Sequence, residues 1–285
     1  MKPACQPASH PGCPPTPVAP GADPASNARS GGPPGALFTC SVDDGHPNDS
    51  RMADLFARHD LQATFYVPIM NREGRPVLGH KALTEIDRHF EIGSHTRDHC
   101  FLDRVGRKEG NRQITSGKAA LEDIVGHSVN GFCYPGGRFG PAQQRMVEAA
   151  GFRFARSTMN LRFDCGSDPF AMPTTIQFYP HVAQVYLRNL LSGGAWRLRN
   201  RGLLMALRHP DWLQRIAALF DHACDTGQQF HLWCHSWEID QLDCWPALDA
   251  FFARVARRLS SDRCLTNGAL ARLTFQPDGR IGAAA

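Results

Sequence analysis

ALFTCSVDDG, residues 36–45, sets an apolar run directly against two adjacent carboxylates. Residues 36–42 read as a buried strand, and the SVDDG cluster (41–45) falls where that strand must end. The chain repeats the arrangement. ATFYV (63–67), FEIGS (90–94), GFCY (131–134), FRFARS (152–157) and FHLWC (230–234) are short runs of the aromatic and β-branched kind that favours strands. Helical stretches separate them. Met52, Leu55 and Phe56 follow the candidate N-caps Asn48 and Asp49 at helical spacing. ITSGKAALEDIVG (114–126) is closed by Gly126, a helix opens at Pro141 and ends at Gly151, and another covers about 245–258. Strand and helix in alternation predict parallel βα units. The span 36–275 suits a single-domain α/β barrel of seven or eight of them.

Outside that span the composition changes. Residues 1–35 are Pro-, Ala- and Gly-rich without apolar periodicity, and they predict a disordered leader. Residues 276–285 read as a flexible tail. The leader lacks the apolar core of a secretory signal, and the ten cysteines are scattered with no CxxC pair. Reduced thiols and a cytoplasmic protein are therefore expected. A net charge of +4 and the lack of any long basic run argue against nucleic acid as a partner. No apolar stretch is long enough to span a membrane.

The unusual polar residues mark the chemistry. SVDDG (41–45), GSHTRDH (93–99), YPGGR (134–138) and CHSWE (234–238) each begin where a predicted strand ends. In an α/β barrel those ends share one face, where active sites are built. His95 and His99 are four residues apart, a spacing that brings two imidazoles to one side of a helical turn. With a carboxylate from SVDDG they would make a two-His, one-Asp site for a divalent cation. Asp43 and Asp44 repel each other unless such a cation separates their roles, one as ligand and one as base.

SVDDG, HTRDH, the YPGG turn and LWCH resemble, in that order, the motifs of the polysaccharide deacetylase (NodB-homology) family of carbohydrate esterases. The resemblance implies a distorted (β/α)7 TIM-like barrel that hydrolyses N- or O-acetyl groups of sugars with a divalent metal, usually Zn2+. It implies Asp44, His95 and His99 as metal ligands, Asp43 as general base and His235 as the acid that protonates the leaving amine. The backbone at Tyr134 would hold the oxyanion. The third motif often has an Arg followed by Pro and an aromatic; here Cys133, Pro135 and Gly136 stand there, with Arg138 as the candidate to orient Asp43. The Asp-and-Trp motif that supports the acid is not evident, and Asp164 is the candidate substitute.

Other residues keep two readings. Trp237 is a packing residue or a sugar platform, Glu238 a substrate contact or a surface carboxylate, Asp98 a turn cap, and His231 a structural residue of its strand. Residues 181–212 break the alternation, with Arg188, Arg197, Arg199, Arg201 and Arg208 set among Leu, Trp and Met. They form either an ordinary amphipathic cover or a capping insertion that recognises an anionic or lipid-linked part of the substrate. Three functions are weighed: hydrolysis of an N-acetylated amino sugar or glycan precursor, free or carried on a nucleotide or lipid; hydrolysis of a small cyclic amide or ureide; and a degenerate, glycan-binding barrel. All five candidate catalytic and metal residues are present, which favours the first.

Overall fold

The computed structural model describes residues 35–276. Apart from their innermost residues, the expected leader and tail lie outside the described residues. Eight parallel strands form the sheet: β1 (Leu37–Asp43), β2 (Thr64–Val67), β3 (Glu91–Ser94), β4 (Gly131–Cys133), β5 (Phe154–Arg156), β6 (Ile176–Gln177), β7 (Gln229–Cys234) and β8 (Cys264–Leu265). Seven follow the order β5-β4-β3-β2-β1-β7-β6, and β8 pairs with Phe38 and Thr39 of β1. Ten α-helices among the described residues accompany them: α1 (Asp49–Arg58), α2 (His80–Asp87), α3 (Arg107–Val125), α4 (Pro141–Ala149), α5 (Ala183–Gly193), α6 (Trp196–Arg208), α7 (Trp212–Thr226), α8 (Ser236–Gln241), α9 (Trp245–Arg258) and α10 (Asn267–Phe275). This is the expected α/β barrel in distorted form. β5 and β6 are the two ends of that order, and Arg156 of β5 makes an isolated parallel bridge to Met172, which precedes β6.

Alternation along β1 explains how the strand delivers its carboxylate. Phe38, Cys40 and Val42 join the apolar core. There Phe38, Phe220 and Phe230 meet at ring distances of 5.4–6.2 Å. The intervening Thr39 and Ser41 hydrogen-bond with the two ring nitrogens of His231 on β7, at 2.8 and 3.3 Å. His231 is therefore structural, as expected, and burial holds its pKa well below the usual imidazole range. Period-2 geometry puts Asp43 on the same polar side as Thr39 and Ser41, at the strand's C-terminal end.

Several boundaries differ from expectation for physical reasons. α3 starts at Arg107, well before Ile114. Its first turns bury Gly110 and Gln113, so no apolar period announces them. The helix expected to run to Gly151 stops at Ala149. Asn48 occupies the N-cap of α1 without a side-chain cap bond, and Asp49 is a buried first-turn residue whose carboxylate accepts from Ser236. The strands β6 and β8 have two residues each, too short for any periodic signal. Residues 181–212 fold largely as α5 and α6, the latter followed closely by α7.

Candidate active site

All strands being parallel, the segments after β1, β3, β4 and β7 emerge on one rim. They line a cleft of about 840 Å³ whose walls include Asp43, Asp44, His95, His99, His235 and Trp237. The chain must turn sharply there. Asp44 (φ 81°), Thr96 (φ 64°) and His99 (φ 59°) take left-handed backbone conformations that side-chain-bearing residues rarely adopt. After Asp44, Gly45 (φ 61°) passes so close to β2 that a Cβ would come within 2.6 Å of Val67 Cγ1. Thus His95 and His99 do converge, with ring centroids 5.0 Å apart, but on an irregular loop and not on a helical turn.

Asp44, His95 and His99 each present one donor atom within a 4.8 Å group. His99 Nε2 lies 3.1 Å and His95 Nε2 3.7 Å from Asp44 Oδ1. His95 Nδ1 donates to the Cys133 carbonyl at 2.8 Å, which fixes the proton on Nδ1 and leaves the Nε2 lone pair for a ligand. Asp44 Oδ1 is buried with no hydrogen-bond donor of its own. Two imidazoles facing an unsatisfied carboxylate oxygen suit a divalent cation with positions left for water and substrate.

The two carboxylates are driven apart electrostatically. Burial pushes Asp43 up to about 6, against the pull of His235. Burial would also raise Asp44, but His235, His99 and His95 outweigh it and hold that carboxyl well below the ordinary range. Burial lowers His95 to about 3, assisted by His99. For His235 burial favours the neutral ring, yet Asp44, Glu238 and Asp43 carry it up to about 10. A carboxylate near neutrality therefore shares the cleft with a protonated imidazole, the pairing that separates base from acid.

Two expected supports are replaced by others, and a third is committed elsewhere. Asp164 does not meet His235: it pairs with Arg162 and accepts from Gly166 N–H at 2.7 Å. His235 Nδ1 instead donates to Glu238 Oε2 at 2.7 Å, and Gln177 Nε2 donates to the same oxygen at 2.9 Å. Arg138 does not reach Asp43; it lies 3.6 Å from Asp103 and over the Phe101 ring. The Cys133 thiol donates to Asp43 Oδ2 at 3.4 Å in its place. The Tyr134 N–H, expected at an oxyanion, donates to the Arg156 carbonyl at 3.3 Å. Trp237 is more than packing, since its Nε1–H donates to Asp44 Oδ2 at 2.9 Å. Arg75 lies 4.1 Å over the Trp237 ring and 3.9 Å from the same Oδ2. Asp98 stands behind the loop, accepting from Arg72 and Gln113.

Of the five arginines in 181–212, only Arg188 is on the cleft wall. Arg199 is buried, 1% exposed, and donates to the carbonyls of Asn160, Asn189 and Gly194. It is a structural tie and not a substrate contact. Arg75, Cys133 as a donor, and Gln177 carry no sequence signal, because each is defined by a partner far away in the chain.

Residues 31–155 match the model of the polysaccharide deacetylase family. That span holds the SVDDG, HTRDH and YPGG segments and ends before His235. A Mycobacterium smegmatis protein provisionally assigned as a polysaccharide deacetylase aligns over 92% of this chain and 95% of its own, at 14% identity and a TM-score of 0.61. A family 4 acetyl xylan esterase from Clostridium thermocellum, solved with a cobalt ion, aligns over 83% and 91%, at 15% identity and a TM-score of 0.50. A Streptococcus pyogenes deacetylase solved with acetate aligns over 53% and 67%, at 17% identity and a TM-score of 0.45. The chain spans less than half, 45%, of a Bacillus cereus polysaccharide deacetylase. No curated protein matches the sequence. At such identities the likeness to solved structures establishes the fold alone.

Proposed function

We propose, from the match of residues 31–155 to the polysaccharide deacetylase family model, that the chain is a metal-dependent hydrolase removing an N-acetyl group from an amino sugar. The observation that carries this reading is the convergence of Asp44, His95 and His99 into one donor group, with Asp43 and His235 on the same cleft. A divalent cation held there, zinc on the chemistry of the donors, would polarise the acyl oxygen and acidify water. The chain's own groups supply the proton traffic. Asp43, ionised above about pH 6, accepts a proton from the attacking water as oxygen adds to the acyl carbon. His235, which Asp44, Glu238 and Asp43 favour in its protonated form against the cost of burial, gives its proton to the nitrogen as the carbon–nitrogen bond breaks, so that acetate and a free amine leave. Glu238 holds His235 in the tautomer and orientation that present Nε2 to the cleft.

A sugar-sized substrate is supported by the cleft volume of about 840 Å³, large for a small cyclic amide. Arg75, Arg138 and Arg188 on its walls favour a glycan precursor with an anionic carrier, nucleotide or lipid. A degenerate binding barrel is disfavoured, because no member of the acid, base and ligand sets is missing. A reducing, cytoplasmic setting is supported by the eight described cysteines, all buried thiols with no disulfide among them. No helix among the described residues is long and apolar enough to cross a membrane.

The test is release of acetate from acetylated amino sugars by the zinc-loaded protein. Asp43→Asn should keep the cation and lose roughly 10²–10⁴-fold in turnover, the usual worth of general acid–base catalysis. Unchanged turnover in that variant would remove Asp43 as the base.

A further inference from the structure

The α5–α6 hairpin presents an outer face that the catalytic reading does not use. Seven of the nine exposed large hydrophobic side chains among the described residues lie between 182 and 207. Leu187 and Leu191 stand out from α5, and Trp196, Leu198, Leu204 and Leu207 from α6, each at least 44% exposed. Arg197, Arg201 and Arg208 are exposed on the same side of α6. No acidic residue occurs between Asp168 and Asp211, an interval with five arginines.

We propose that this face docks the protein on the surface of an anionic lipid bilayer. A helix lying in a headgroup layer needs apolar side chains to enter the acyl boundary and cationic ones to meet lipid phosphates. In an isolated interfacial helix the polar side faces water. Here the inner side of α6 is consumed by the barrel, where Gly202, Leu203 and Ala206 are buried, so one outward side must do both jobs. Arginines can do so by laying their stems along apolar neighbours while the guanidinium reaches the phosphates. α6 has 13 residues, about 20 Å of helix, and lies on a bilayer without crossing it.

Two observations favour this occupant over a second copy of the chain. Self-association across a two-fold axis would set the arginines of one face against those of the other, with no carboxylate in the segment to neutralise them. The arginines are also interspersed with the leucines, so the occupant must offer anionic and apolar groups side by side, as phosphates above an acyl boundary do. The face is held in a fixed orientation. Arg199 ties α6 to the Asn160 carbonyl, and Arg215 ties its end through the carbonyls of Ala206 and His209. The inner side of α5 supplies Val185 and Tyr186 to the cleft wall. Docking would therefore bring the cleft beside the headgroups.

The full chain is tested by co-sedimentation with vesicles of phosphatidylglycerol and phosphatidylcholine, and with vesicles of phosphatidylcholine alone. This readout does not depend on the hydrolase reading. The anionic vesicles should bind the protein, and the neutral ones should bind it at least about tenfold more weakly. Arg197→Gln, Arg201→Gln and Arg208→Gln together should weaken binding to anionic vesicles about 100-fold. Leu204→Gln with Leu207→Gln should weaken it at least about tenfold. All five sites are exposed, and melting curves check that the variants fold; Trp196→Gln, at the end of α6, serves if the leucine pair does not. Equal binding to both vesicle types, or variants that bind as wild type does, would overturn the proposal. So would a dimer in sedimentation equilibrium that Leu204→Gln with Leu207→Gln dissociates while vesicles go unbound.

Discussion

Replacing Glu238 by Gln removes a charge from behind the proposed acid while keeping an oxygen to accept its hydrogen bond. The His235 Nδ1 to Glu238 Oε2 distance of 2.7 Å marks a strong bond, and the two side chains are only 17% and 13% exposed. A hydrogen bond to a charged group contributes about 1.5–3 kcal/mol. The neutral bond that Gln keeps retains about 0.5–1.5 kcal/mol of that, so at about 1.4 kcal/mol per tenfold in rate Glu238→Gln should lower kcat for an N-acetylated amino sugar roughly 5- to 12-fold. The loss should depend on the leaving group. An amine must be protonated as it departs, whereas a nitrophenolate need not be, so hydrolysis of 4-nitrophenyl acetate should fall by less than about threefold. Metal content should be unchanged, because Glu238 supports the acid and not the ligands.

Asp164→Asn is the matched control. Sequence placed Asp164 behind His235, whereas the structure pairs it with Arg162. Its replacement should leave both rates near wild type. Equal losses on amide and ester in Glu238→Gln would refute the reasoning, since they would point to general damage. So would a loss in Asp164→Asn as large as that in Glu238→Gln.

Further outcomes follow from the same geometry. Trp237→Phe deletes the indole donor to Asp44 and should weaken cation binding about 10- to 100-fold, read by competition with a chelator; unchanged affinity would make Trp237 a packing residue. Activity should rise with pH as Asp43 loses its proton and fall as His235 loses its own. A bound cation can only lower both values, so the acid limb lies at or below about 6 and the alkaline limb at or below about 10. A limb above either value would reassign the group. Glu238→Gln lowers the His235 pKa and should move the alkaline limb downward. Arg199→Gln strips a buried cation from three carbonyls and should cost about 3 kcal/mol, a drop in Tm of roughly 6–12 °C, while the exposed Arg197→Gln should shift it by less than about 2 °C.

What the sequence made legible was periodic or punctuated. β1, β2, β3 and β7 are apolar runs ending in conspicuous polar clusters, and their positions were readable to within a residue or so. α9 begins with the Trp245–Pro246 pair and keeps an apolar stripe, so its limits were readable too. β6 was hidden because two residues hold no period, yet it is the strand that carries Gln177 to Glu238. Likewise α3 begins on a polar stretch whose buried members are Gly110 and Gln113, and only its later, apolar half was visible.

The site divides along a different line. Asp43 and Asp44 are adjacent and His95 and His99 four apart, so their grouping was a local matter that spacing could suggest. Their supports are set by register across the sheet. Arg156, which closes the β5 side, takes the Tyr134 N–H on its carbonyl, and no local reading of YPGG could have shown that the amide was already committed. The same holds for the residues that orient the carboxylates. Cys133 stands behind Asp43 from 90 positions away, and Trp237 behind Asp44 from 193. The acid is the exception: Glu238 lies three residues after His235, within reach of any turn, whereas Asp164, the candidate substitute, lies 71 positions before it. Opening a short helix at Ser236 folds the chain back so that an i, i+3 contact replaces a long-range one. A support supplied by the acid's own loop needs no second segment to be in place. His235 should therefore keep its orientation when the loop carrying Asp164 is altered, which is the outcome the Asp164→Asn control measures.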